Sequence, residues 1–176
     1  MNARKFVFFS LSLVVLLCFI LIYLQFYYQF SRKNLFIEVP SLIINNLDGK
    51  IANLKNFTTD IPSVLIYFNS SCPICQSEAE LIKRNFRADS LTRFLWVSSE
   101  SSEDIKNFAV QYKLDNLDTH RFYSDTLFRL ASAFKLTGVP ATFVYDAEGN
   151  LVNYSLGAVS MSDLTLSIQK AHDRSR

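Results

Sequence analysis

The sequence carries no surplus of either charge: 18 basic and 16 acidic residues leave a net charge of +2, with no basic run. Nucleic-acid binding driven by charge is thereby excluded, because neutralising many phosphates needs an excess of lysine and arginine. Ligands for a metal are scarce too, with three cysteines and two histidines, His120 and His172, far apart. A structural zinc takes four ligands, usually two Cys-X-X-Cys pairs or one pair with two closely spaced histidines, so no metal is expected. The histidines read as ordinary surface or partly buried groups. Internal repeats and low-complexity tracts are missing. No small-x-small cleavage site follows the apolar N-terminal region, and Cys18 follows Leu16 and Leu17 rather than the small residue of a lipoprotein signal.

What is present begins with FVFFSLSLVVLLCFILIYLQFYYQF, Phe6 to Phe30, which contains no charged residue. About 20 helical residues at 1.5 Å each cross a ~30 Å hydrocarbon core, so residues 6–30 are expected to anchor the chain in a lipid bilayer as one transmembrane helix. Its last third interleaves Tyr23, Phe26, Tyr27, Tyr28 and Phe30 with Gln25 and Gln29, the pattern of an aromatic belt at the headgroups. Cys18 reads as a lipid-facing apolar residue. Arg4 and Lys5 before the span nearly balance Arg32 and Lys33 after it, so charge alone does not orient it. The expected organisation is residues 1–5 as a cytoplasmic N-terminus, 6–30 as the anchor, 31–40 as a tether reaching at most about 33–36 Å, and 41–176 as one folded domain.

Within that domain Asp48-Gly49 lies between two apolar runs, as in a hairpin turn that needs positive φ, and YDAEGNLV (145–152) predicts a second turn. SVLIYFN (63–69) is a near-continuous apolar run, the signature of a strand buried on both faces; FLWVSS (94–99) and ATFVYD (141–146) read alike. A helix is expected over 73–87, burying Ile74, Leu81, Ile82 and Phe86. Another starts from Ser102 as N-cap, with Glu103 and Asp104 in its first turn and Ile105, Phe108 and Ala109 inward. Two more are expected over 125–134, capped by Asp125, and over 162–172, with Leu164, Ile168 and Ala171 on one face. The alternation implies an α/β fold in which a mixed sheet is flanked by helices.

The other two cysteines stand three apart in YFNSSCPICQSE, residues 67–78. A purely structural bridge of that span closes so short a loop that it removes little chain entropy. A redox pair needs a stabilised thiolate, which the free N–H groups and positive end of a helix supply. Ser70 and Ser71 make the turn after the strand, Pro73 suits the first helical position, and Cys72 falls at the N-cap. Its sulfur can accept from the Cys75 N–H, which sets the second thiol beneath the first as resolving partner. Pro73 and Ile74 are uncharged, so a middling redox potential is expected.

The strand, Cys-Pro-Ile-Cys at a helix start, and TGVPATFVYDAEGNLV (137–152) together resemble the thioredoxin superfamily, most of all its membrane-tethered extracytoplasmic branch, the TlpA/ResA-like thiol-disulfide oxidoreductases. The resemblance covers roughly residues 41–172 and implies a thioredoxin-like three-layer sandwich. It implies that Cys72 attacks a substrate disulfide, that Cys75 resolves the mixed disulfide, and that Val139 and a cis Pro140 form the edge receiving the substrate peptide. It also implies proton handling by Glu78, three residues after the second cysteine; taken alone, Glu78 reads equally well as a solvated helix residue. No small-molecule cofactor is implied. The implied partners are protein thiols and disulfides and an integral-membrane electron-transfer partner, and many relatives act as reductants in cytochrome c maturation. The direction of electron flow stays open. The domain is expected on the extracytoplasmic side, where disulfides persist.

Two positions depart from the pattern. Ser71 stands where a tryptophan often precedes the first cysteine, and Ile66 where many relatives place a polar group. With Ile66 apolar, a proton from Cys75 is left to Glu78 or water. Two other classes stay open. A thiol peroxidase would set a lone cysteine in Pro-x-x-x-[Thr/Ser]-x-x-Cys, and no such proline precedes Cys72. A thioredoxin-fold binding or assembly module would tolerate loss of Cys75.

Overall fold

The structure, a computed structural model, describes residues 3–34, 39, 41–57, 60–86 and 91–175, and within the first helix the side chains of 11–27. The chain divides into two compact units, Met1–Phe36 and Ile37–Arg176. The first holds helix α1, Ala3–Asn34, whose described side chains are all exposed. Tyr23 and Tyr27, one turn apart, stack with centroids 6.3 Å apart. Among the described residues no helix is long and apolar enough to cross a membrane. The described side chains cover only part of the 6–30 run; those of Tyr28 and Phe30, and most of the 31–40 tether, lie outside them. The second unit starts at Ile37, ahead of the expected boundary, and Val39 is buried.

This second unit is built on seven strands: β1 Ile43–Asn46, β2 Ile51–Asn53, β3 Ser63–Tyr67, β4 Arg93–Ser98, β5 His120–Ser124, β6 Ala141–Tyr145 and β7 Leu151–Leu156. They form one mixed sheet in the order β2-β1-β5-β4-β3-β6-β7. β3 and β4 are parallel, as are β4 and β5, while β6 runs antiparallel to β3. Both turns fall at the expected glycines. Gly49 has φ 79° between β1 and β2, and Gly149 has φ 82° between β6 and β7. Every residue of β3 and β6 is buried, which is why their sequences are nearly continuous apolar runs.

Strand β5 was not expected from the sequence, because the polar pair His120-Arg121 opens it and masks the apolar alternation. His120 is buried, and its Nδ1 accepts from the Trp96 indole N–H at 2.8 Å. Burial, with the nearby Arg121 charge, holds its pKa down at about 4, so it stays neutral. His172 lies 3.0 Å from the Thr92 hydroxyl through Nε2.

Helix α2, Pro73–Asn85, buries Cys75, Glu78, Ala79 and Ile82. That stripe corrects the expected one: Ile74 and Leu81 are 46% and 36% exposed, since each lies one position before an inward residue and so on the flank of the buried face. Helix α3, Ser102–Gln111, is capped by Ser101 rather than Ser102; Ser101 Oγ accepts from the Asp104 N–H and donates to its carboxylate at 2.6 Å. Helix α4 is also shorter than expected, Arg129–Ala133, because the chain first passes through Phe128 in the left-handed region at φ 52°. Helix α5, Met161–Arg174, buries Leu164, Ile168 and Ala171 as its periodicity predicts. One core cluster joins Val64 and Ile66 of β3 to Cys75, Ala79 and Ile82 of α2 and to Leu164 and Ile168 of α5. Beyond the end of α4, Phe134 packs against Phe143 of β6 with centroids 4.8 Å apart.

Candidate active site

Strand β3 delivers the chain to the reactive turn. Phe68 N–H still pairs with Val97 O, and Asn69, Ser70 and Ser71 then turn it into α2. The turn is held from both sides. Asn69 Oδ1 accepts from the Ser71 N–H at 3.0 Å, and Gln76 Nε2 donates to Ser70 O at 2.8 Å. Glu100, beyond β4, accepts from the Ser70 N–H at 2.7 Å, from its hydroxyl at 2.6 Å and from the Ser98 hydroxyl at 2.8 Å. Three charge-assisted bonds to one carboxylate fix the position of the residues before Cys72. Replacing Glu100 with alanine should therefore lower stability by about 2 kcal/mol and slow the reaction of Cys72. Chemical denaturation and alkylation kinetics check this, and an unchanged alkylation rate would deny Glu100 a positioning role.

Cys72 sits at the N-cap of α2 with extended backbone, and Pro73 takes the first helical position. The Cys75 N–H donates to Cys72 Sγ at 3.4 Å, and Gln76 N–H bonds Cys72 O at 3.0 Å. The helix therefore directs N–H groups and its positive end at a partly exposed sulfur. Cys75 is fully buried beneath it. Burial above all pushes the Cys75 thiol up to about 12, with the neighbouring Cys72 and Glu78 adding to the rise and the Asn69 backbone opposing it. Cys72 is accordingly the more accessible sulfur of the pair and Cys75 the shielded one.

Glu78 is 3% exposed, so it is not a solvated helix residue. Its Oε1 accepts from the Val159 N–H at 3.0 Å, and its buried Oε2 has no partner among the described residues. Burial raises its pKa, partly offset by the Val159 bond. Glu78 is thus a half-satisfied buried carboxyl group one helical turn from Cys75.

The Val139-Pro140 bond is cis, and Val139 O lies 4.0 Å from Cys72 Sγ. The register Tyr67↔Ala141 between β3 and β6 sets that approach. Cys72, Cys75, Glu78, Val139 and Pro140 thus gather at one end of the sheet. Sequence reading did not find Glu100, nor the pair Tyr67 and Asp125 beside the site. Tyr67 O–H donates to Asp125 Oδ2 at 3.2 Å, and burial together with the Asp125 charge raises its pKa. Asp125 carboxylate also accepts the N–H groups of Arg129, Leu130 and Ala131, so it caps α4 from four residues upstream.

The family model described as "AhpC/TSA family" matches residues 37–154. No curated protein sequence matches the chain. Among solved structures, dsbF of MTB is similar at 23% identity and a TM-score of 0.64, over 76% of this chain and 98% of that one. A secreted Mycobacterium tuberculosis disulfide oxidoreductase homologous to E. coli DsbE is 18% identical with a TM-score of 0.63, over 74% and 96%. A peroxiredoxin-like protein from Aquifex aeolicus is 15% identical with a TM-score of 0.63, over 77% and 85%. These likenesses show a thioredoxin-like fold.

Proposed function

Because the chain belongs to the AhpC/TSA family and carries the thioredoxin-like fold, we propose that it is a membrane-tethered thiol-disulfide oxidoreductase acting on protein substrates. The observation that carries this reading is a partly exposed sulfur at a helix N-terminus with a second, buried thiol directly behind it. In the reducing direction the Cys72 thiolate attacks one sulfur of a substrate disulfide; a Cys72–substrate bond forms and the other substrate sulfur leaves as thiolate. Cys75 then gives its proton to Glu78 and attacks Cys72 Sγ. The intramolecular disulfide forms, the substrate thiolate departs, and two electrons have moved to the substrate. The same steps reversed oxidise a dithiol. Val139 and Pro140 supply the edge along which the peptide lies.

The uncharged 6–30 run supports an anchor that keeps the domain at a bilayer, on the extracytoplasmic side where disulfides persist. There an integral-membrane partner can recharge the pair, and cytochrome c maturation is a setting for such a reductant. Carbonate extraction of membranes checks the anchor; release of the intact chain would rule it out.

The decisive experiment equilibrates the full-length protein in defined thiol buffers and reads the Cys72–Cys75 couple by alkylation mass shift. A reversible two-electron couple is expected. A potential near about −270 mV marks a reductant and one near about −120 mV an oxidant. If no couple forms, exchange fails and a binding or assembly module takes its place. A second reading, thiol peroxidase, draws on the family and the Aquifex aeolicus likeness. Rapid oxidation of Cys72 by hydrogen peroxide, surviving Cys75→Ser, would favour it.

A further inference from the structure

A cleft of about 290 Å³ opens beside the reactive edge, bounded by Tyr67, Phe128, Ala131, Leu136 and Val139. It lies at the lower edge of the ~300–1,000 Å³ of small-molecule sites, room enough for one or two side chains. No charged residue lines it. Val139 is shared with the reactive centre, since its carbonyl faces Cys72 Sγ at 4.0 Å. The cleft is therefore continuous with the point where a substrate sulfur must sit.

Its wall is built rather than incidental. Asp125, 3% exposed, accepts from Tyr67 on one side and from three α4 N–H groups on the other, tying the β5–α4 connection to β3. That connection ends at Phe128, held at φ 52° with the residue 54% exposed. A left-handed backbone is a genuine outlier for a bulky residue, and glycine would occupy it without strain. A phenylalanine kept there and left half in solvent points to a use for its ring.

We propose that this cleft is the subsite for a large apolar side chain, aromatic above all, next to the reacting cysteine of the substrate polypeptide, with Phe128 setting the preference. The proposal rests on the exchange reading of Cys72 and Cys75. Among the described residues the Val139 N–H and C=O make no backbone hydrogen bond, so an extended peptide can pair along Gly138-Val139. Its cysteine then meets Cys72 while a neighbouring side chain enters the cleft and stacks on Phe128. A carboxylate at that position would meet no cation, since the polar side chains of the wall, Asn69 and Ser99, are uncharged, and so is disfavoured.

The test is single-turnover oxidation of the reduced full-length protein by peptide–glutathione mixed disulfides that differ only in Trp, Ser or Asp beside the cysteine. Wild type should prefer Trp over Ser by roughly ten- to a hundredfold in second-order rate, with Asp slowest. Phe128→Ala should shrink the Trp/Ser ratio to about threefold or less, and Phe128→Gly, which also relieves the backbone, should do the same. Reading a ratio cancels any general loss of activity. Equal rates for the wild type, or a ratio that survives both variants, overturn the subsite. If Phe128→Ala shifts the sedimenting mass and leaves the peptide order intact, the occupant is a second copy of the chain and the proposal falls. Hydroxyethyl disulfide, too small to reach the cleft, separates the two levels: a wild type that it cannot oxidise loses the exchange reading, and the subsite with it.

Discussion

Cys72→Ser is expected to abolish disulfide exchange, lowering the rate by roughly a thousandfold or more, the scale on which loss of an enzymic nucleophile acts. Cys75→Ser should behave differently. The partly exposed Cys72 still attacks, but no buried thiol remains to displace the substrate, so a covalent Cys72–substrate adduct accumulates. The asymmetry follows from burial: Cys75 is inaccessible to a protein disulfide, whereas Cys72 stands at the helix N-terminus in reach of one. Non-reducing electrophoresis with a protein disulfide substrate reads both outcomes. Adducts that form equally with either variant would refute the assignment of attacking and resolving sulfurs.

Glu78→Gln should slow the resolving step by about a hundredfold at neutral pH, within the usual range for a general base, while adduct formation changes little. The variant also removes a negative charge that raises the Cys75 pKa. A resolving step that speeds up would therefore show that charge, not proton transfer, is what Glu78 contributes. In the wild type the step should rise with pH as Glu78 ionises, above the ordinary carboxylate range because burial raises its pKa. In the variant only the direct ionisation of Cys75 remains, below the wild type's value of about 12 because the Glu78 charge is gone.

Stability carries the same signature with a definite sign. A carboxyl whose folded pKa is raised binds a proton more tightly in the folded than in the unfolded state. Between the unfolded value, about 4.3, and the folded one, the folded state then holds more protons, and stability falls as pH rises. Glu78→Gln should accordingly gain stability over the wild type as pH climbs from 4 to 8, with the two nearly equal at the acid end. Urea denaturation at both ends of that range measures it, and a constant difference would show that Glu78 titrates normally.

The reactive turn was legible because its signals are local: an apolar strand, two serines, Cys-Pro and a helix follow one another within a few residues. The phase of α2 was not. Hydrophobicity alone sends Ile74 and Leu81 inward and Glu78 outward, whereas the helix buries Glu78 beside Cys75 because the Val159 N–H is there to receive it. The start of α4 escaped for a related reason. No glycine marks the left-handed turn at Phe128, and Asp125 caps the helix from outside it. Glu100 and Tyr67 were invisible because their partners, Ser70 and Asp125, lie 30 and 58 residues away along the chain. Local pattern reports which residues form an element; it does not report which distant polar group will meet them.

The separation between Cys72 and Val139 also sets an order of events in biosynthesis. Cys72 and the Val139 edge that faces it are 67 residues apart in sequence, and only the pairing of β3 with β6 brings them together. At about 5–20 residues per second, roughly 3 to 13 s pass after Cys72 is made before Val139 exists at all. During that interval both thiols belong to an unfinished sheet with no partner strand to screen them. Whatever handles the nascent chain must hold the pair until the strand that brings Val139 up to it has been made.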